Sequence, residues 1–264
     1  MAIPLLICAD DFGYSDAVDA GIAELVDAGR VTATSCLTAS PRWSTATSAA
    51  RQLDGRADLG LHFDLTEFDR LASLPKLLVG GRLGLLDPDV IRGKLRAQLD
   101  RFEEALGRGP DYVDGHQHVQ QLPAVADALI EELEARYPAK RPWVRVSLPQ
   151  DTSFKSRVIA AMGARRLADR LEEAGFRHTT RLLGIYDFSA EPPYARRLAA
   201  WLPDARVGDA LMVHPARGVT TGDPLGAARE REFETLASTE TGELLERLRL
   251  VPSRGDALIV KRPA

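Results

Sequence analysis

The sequence predicts an α/β fold, a distorted (β/α) barrel of seven strands. Three observations carry that prediction. Short apolar runs alternate with helix-like segments along the whole chain of 264 residues. Several runs stop abruptly at an aspartate or a histidine, as a buried strand does at its C-terminal end. No repeat, low-complexity tract or linker divides the sequence, so residues 1–264 read as a single domain. Repeated β-then-α favours parallel strands joined by helical crossovers. An open doubly wound sheet is the runner-up.

The elements follow in order. The first strand-like run, residues 3–9, ends at Asp10 and Asp11. Ser15 can cap the next helix, with Val18, Ile22, Leu25 and Val26 on one face and Gly29 at its end. Runs 31–37 and 57–63 are the next strands. Residues 67–86 then read as a long loop with Pro75, Gly80, Gly81 and Gly84. It directly follows His62 and is well placed to cover a site there, with an ordinary surface excursion as the equal alternative. Asp87-Pro88 is a cap and first-turn pair. It opens a helix with Ile91, Leu95, Leu99, Phe102 and Leu106 at helical spacing. Later strands fall at 112–114, 143–146, 181–185, 210–213 and 257–260. Later helices fall near 124–136, 155–173, 194–202 and 227–250, the last breaking near Ser238-Thr239. Residues 216–227 form a second loop next to His214. The charged runs 131–136 and 229–234 read as solvated helix faces.

Composition narrows the class. Hydrophobic residues make up 45% of the chain, enough for a large core, and the formal charge is −4. With a pI near 5.8, no global basic field favours nucleic acid. Cys8 and Cys36 lie in apolar runs and read as buried thiols of a reducing compartment. A basic leader is absent, the first apolar run is too short for an ordinary secretory signal, and no stretch reaches membrane-span length. The expectation is a cytoplasmic protein without a membrane span, with a homodimer as the admissible oligomer.

Four of the five histidines fall at strand ends, beside carboxylates. Taken alone, Asp10-Asp11 is as well explained by a capped turn. A lone His62 is more often a hydrogen-bonded structural histidine than a ligand. His116 and His118, two apart on a strand, would share one face. His214-Pro215 says little alone. Together these residues make a carboxylate–imidazole set of the type that divalent metals use in hydrolases. Five independent accidents at four strand ends are a poor alternative.

The same residues carry a family resemblance. Ala9-Asp10-Asp11-Phe12-Gly13, Gly60-Leu61-His62-Phe63-Asp64-Leu65-Thr66 and Asp114-Gly115-His116-Gln117-His118-Val119 resemble the signature segments of the YdjC-like carbohydrate deacetylases. That family includes chitooligosaccharide deacetylases and hopanoid-associated relatives. Met212-Val213-His214-Pro215-Ala216 resembles its fourth segment, and Arg229-Glu230-Arg231-Glu232 its late helix. The resemblance implies a seven-stranded barrel with one divalent cation, Mg2+ or Zn2+, held by Asp11, His62 and His116. It implies Asp10 as general base, His214 as general acid and His118 as a substrate contact. Three positions depart from the family pattern. Gln120 stands where a third histidine is common, Ala216 where glycine is usual, and Ala210 where an acidic residue often precedes Leu211.

The implied reaction hydrolyses an N-acetyl group on a sugar or oligosaccharide, releasing acetate and an amino sugar. A divalent ion activates water and polarises the carbonyl, a base takes the water's proton, and an acid protonates the departing amine. Two other readings compete. One is hydrolysis of another bond such as a phosphoester, although few ligands are spare for a second metal and no glycine-rich phosphate loop is evident. The other is a metal- and sugar-binding protein with impaired turnover, against which the retention of both Asp10 and His214 argues.

Overall fold

The computed structural model describes residues 1–258. Eight strands form one sheet: β1 (Ile3–Phe12), β2 (Ala33–Cys36), β3 (Asp58–Phe63), β4 (Tyr112–Gly115), β5 (Trp143–Val144), β6 (Leu182–Leu183), β7 (Ala210–Val213) and β8 (Leu250–Pro252). Among the described residues the α-helices are α1 (Asp16–Asp27), α2 (Trp43–Leu53), α3 (Leu74–Arg82), α4 (Pro88–Leu106), α5 (Pro123–Arg136), α6 (Phe154–Ala161), α7 (Ala164–Glu173), α8 (Tyr194–Trp201), α9 (Gly226–Ala237) and α10 (Thr239–Arg247).

Seven strands run in the order β5-β4-β3-β2-β1-β7-β6, with β8 paired to the start of β1. Every strand pairing is parallel. That order is cyclic in sequence, as a barrel requires, and it overturns the doubly wound alternative. The sheet curls into a half-barrel with helices outside. Among the described residues, the isolated bridges Val144↔His178 and Pro149↔Leu182 lie across the gap between its outer strands.

Strand alternation sorts the core into two layers. Leu5, Ile7, Ala9, Leu59, Leu61, Val113, Leu211 and Val213 belong to the layer shared with the helices. Leu6, Cys8, Ala33, Tyr112, Trp143, Ala210 and Met212 form a second cluster inside the curl. Tyr112 and Trp143 stack there, with ring centroids 4.1 Å apart.

The predicted caps occur. Ser15 accepts from the Val18 N–H at the start of α1, and Asp87 from the Asp89 N–H at the start of α4. Ser238 separates α9 from α10 and caps the latter. Other expectations need correction. Residues 67–86 are not a plain loop, because α3 occupies their centre. The helix expected over 155–173 is two helices, α6 and α7. They are divided at Gly163, whose φ is 121° and where a Cβ would lie 2.3 Å from the Gln121 carbonyl oxygen. The helix expected to reach residue 250 ends at Arg247, and β8 follows. Of the strand expected at 257–260, Ala257 closes a 3-10 turn, and residues 259 and 260 lie outside the described residues.

Candidate active site

On six of the strands the inward-facing row ends in a polar residue. Asp10 extends the row of Leu6 and Cys8 on β1. Ser35 does so on β2, His62 on β3, Asp114 on β4, Arg145 just past β5 and His214 just past β7. Alternation alone therefore delivers six polar side chains to one end of the curl. His62 and Asp114 are register partners across β3 and β4.

Asp11 is the exception. By alternation it would face the helices. Instead the β1–β2 register shifts between Ala9 and Phe12, and Asp11 takes a φ of 73°. A bulge with one left-handed residue re-aims a side chain at the cost of local strain. Both carboxylates of the adjacent pair thus reach the same site, and both are buried.

Asp11 Oδ1 lies 3.4 Å from His62 Nε2 and 3.2 Å from His116 Nδ1. The ligand atoms of these three residues all fall within 4.8 Å of one another. Donors held about 2.1 Å from a tetrahedral ion sit ~3.4 Å apart, so the spacing fits a divalent cation. Behind them, Asp114 Oδ1 lies 2.6 Å from His62 Nδ1. A carboxylate in that position fixes the tautomer and turns Nε2 toward Asp11. Burial would lower the His62 imidazole, but Asp114 and Asp11 raise it to about 10. Burial would likewise raise the Asp11 carboxyl. The Arg229 guanidinium and the two histidines hold it well below the ordinary range.

Asp10 is gripped by Arg145, with Nη1 and Nη2 each 2.7 Å from one of its oxygens. Arg145 Nη2 also lies 2.8 Å from Asp114 Oδ2. Burial pushes the Asp10 carboxyl up, against the pull of Arg145 and His62. His214 Nε2 stands 3.8 Å from Asp10 Oδ2. Burial holds the His214 imidazole well below its ordinary value; Arg229 and Arg145 push the same way, and Asp11 opposes them.

His118 arrives by a different route from the one alternation suggests. β4 stops at Gly115, and residues 116–121 form a 3-10 turn in which Gln117 and His118 have φ values of 53° and 62°. His116 turns to Asp11, while His118 Nδ1 pairs with Ser147 Oγ at 2.9 Å. Burial, Arg145 and Lys155 lower the His118 imidazole to about 3. His118 shares a cavity of about 530 Å³ with Asp10, Asp11, His62, His116 and His214. Glu67 and Leu74 line it from the 67–86 segment, and Gly222 to Leu225 from the loop after His214. Both segments therefore cover the site as expected.

The YdjC-like protein family model matches residues 4–247. The chain belongs to the YdjC-like family. A carbohydrate deacetylase of Mus musculus is 33% identical over 265 residues, covering 87% of this chain and 84% of that protein. A chitooligosaccharide deacetylase of Enterobacter sp. (strain 638) is 33% identical over 142 residues, covering 50% of this chain and 56% of that protein. In fold, the chain is similar to the crystal structure of a candidate cellobiose-phosphate cleavage protein from Enterococcus faecalis V583. The TM-score is 0.72 at 22% identity, with 97% of this chain and 99% of that one covered.

The departures from the YdjC-like pattern prove local. Gln120 lies behind the site, donating from Nε2 to the Arg145 carbonyl at 3.0 Å and to Ser147 Oγ at 3.3 Å. Ala216 is not among the residues with positive φ, so no glycine is required there. Ala210 is buried within the inner layer.

Several participants leave only a weak trace in the sequence. A lone arginine in Trp-Val-Arg-Val was the available signal for Arg145, and the inward phase of Asp114 beside Tyr112 was another. The solvated-face reading of 229–234 fails at two positions, since Arg229 is 2% exposed and Glu232 1%. Arg229 Nη2 lies 2.7 Å from Asp11 Oδ2, and its Nε 2.8 Å from Asp223 Oδ2. Glu132, in the run 131–136, is also buried and pairs with Arg96.

Proposed function

We propose that this chain is a divalent-metal-dependent carbohydrate deacetylase that releases acetate from an N-acetylated sugar or oligosaccharide. One observation carries the reading: the Asp11–His62–His116 cluster has Asp10 and His214 set against each other beside it. The deacetylase relatives in the same family support it. Asp11, His62 and His116 would hold one cation, Mg2+ or Zn2+. When bound, such an ion lowers the pKa of water and stabilises negative charge on a carbonyl oxygen.

The chain's own residues do the rest. Asp10, oriented by Arg145, takes the proton of the attacking water. The amide nitrogen must gain a proton as its bond to carbon breaks. His214 donates it from Nε2. Its Nε2 faces Asp10 Oδ2 at 3.8 Å, and burial, together with Arg229 and Arg145, holds the imidazole well below its ordinary range. His118 is neutral and has Nδ1 engaged by Ser147, which leaves Nε2 for the sugar. The same reading treats residues 1–264 as one domain. It places them in the cytoplasm, where buried free thiols such as Cys8 and Cys36 persist. Among the described residues no helix is long and apolar enough to cross a membrane.

Incubating the metal-loaded protein with a panel of N-acetylglucosamine oligomers and an aryl phosphate tests this. Acetate and free amine should appear in equal amounts, with no phosphate. Phosphate release without acetate would replace deacetylation by phosphoester hydrolysis. Sugar binding with neither product would leave only a binder.

A further inference from the structure

An acid–base histidine is commonly oriented by a partner on its second ring nitrogen. His214 lacks one. Its Nδ1 is buried without a hydrogen-bond partner among the described residues. Its orientation must come from elsewhere, and the candidate lies on α9. Glu232 follows Arg229 by three residues, so one helical turn sends both side chains to one face. Arg229 lines the cavity, but Glu232 does not. Glu232 sits behind His214.

Glu232 Oε2 accepts the backbone N–H of His214 at 2.6 Å. Its Oε1 accepts the Tyr186 hydroxyl, also at 2.6 Å. The Tyr186 ring lies 4.8 Å from Phe188. Phe188 in turn stands edge-on to the His214 imidazole at 5.1 Å. Phe188 takes a left-handed φ of 62°, and its carbonyl accepts from Arg231 Nη2 at 3.2 Å. Strain of that kind persists only where the surroundings impose it. One buried carboxylate thus ties down the main chain of His214 and, through Tyr186, the segment whose aromatic ring flanks the imidazole. Burial pushes the Glu232 carboxyl up to about 7, although the hydrogen bonds from His214 and Tyr186 and the nearby Arg229 pull it down.

We infer that Glu232 is a positioning residue for His214, fixing the imidazole through the His214 main chain and through Tyr186 and Phe188. The inference rests on the reading of His214 as the leaving-group acid. The test is therefore built on leaving groups. Glu232→Ala, Glu232→Gln, Tyr186→Phe and a His214→Ala control are loaded with the same cation as the parent. Each is assayed on an N-acetylglucosamine oligomer and on an activated aryl acetate, whose leaving group departs without a proton.

Glu232→Ala should lower kcat on the amide by roughly tenfold to a hundredfold, as a misplaced catalytic group does. KM and aryl acetate turnover should stay near the parent's. Glu232→Gln keeps an oxygen for the His214 N–H and should recover most of the loss. Tyr186→Phe should show a smaller loss, again confined to the amide. Equal losses on both substrates, or parental amide turnover in Glu232→Ala, would overturn the inference. Should Glu232→Ala fail to fold, Tyr186→Phe decides, and a loss that is absent or equal on both substrates counts against it. If His214→Ala itself shows no preference for the aryl acetate, the acid reading fails and this inference fails with it. If His214→Ala shows that preference and the Glu232 and Tyr186 variants do not, only this inference falls.

Discussion

Asp10→Asn is expected to lose a hundredfold or more of amide turnover, the usual worth of a positioned base. The substitution keeps the shape of the side chain and an oxygen for Arg145. It removes the charge proposed to accept the water's proton. Fold and cation should both survive. Arg145 still has Asp114 at 2.8 Å, and Asp10 is not in the Asp11–His62–His116 cluster. Single-turnover acetate release, run beside circular dichroism and metal analysis, checks all three points. Parental amide hydrolysis in this variant would remove Asp10 from the reaction.

The second large effect concerns the cation. His62→Ala should weaken its binding by a hundredfold or more, because it deletes one of the three proposed ligands and leaves Asp114 without its imidazole. Asp114→Asn should weaken it less, on the order of tenfold to a hundredfold, as loss of a partner behind a metal ligand does. Calorimetric titration with Zn2+ separates these expectations. Parent-like affinity in His62→Ala would break the proposed ligand set and shift attention to His118, which lines the same cavity.

Much of this arrangement was legible in the sequence, for a physical reason. Parallel strands buried on both faces read as apolar runs, and their C-terminal ends are where polar residues can first appear. Asp10, His62 and His214 obey that rule and also fall in the inward phase of their strands. The rest was hidden by departures from regular geometry. Asp11 reaches the site only through a bulge, and periodicity carries no trace of a single left-handed residue. His116 and His118 seemed to share a strand face, but the chain leaves the strand at Gly115 and turns tightly, so one imidazole meets Asp11 and the other Ser147. Arg229 and Glu232 look like surface charges because a helix that buries ions in a site has the same composition as one that solvates them. Only the tertiary fold brings Asp11 and the His214 backbone to them.

The central claim is that Asp11, His62 and His116 hold the cation on which deacetylation depends. The most direct test strips the protein with a chelator, adds back Zn2+ or Mg2+ in steps, and follows bound ion and acetate release from an N-acetylglucosamine oligomer together. Acetate release should rise in proportion to bound ion, level off at one ion per chain, and stay at background in His116→Ala. Acetate release that survives complete removal of metal, or that returns in His116→Ala as in the parent, would contradict the account.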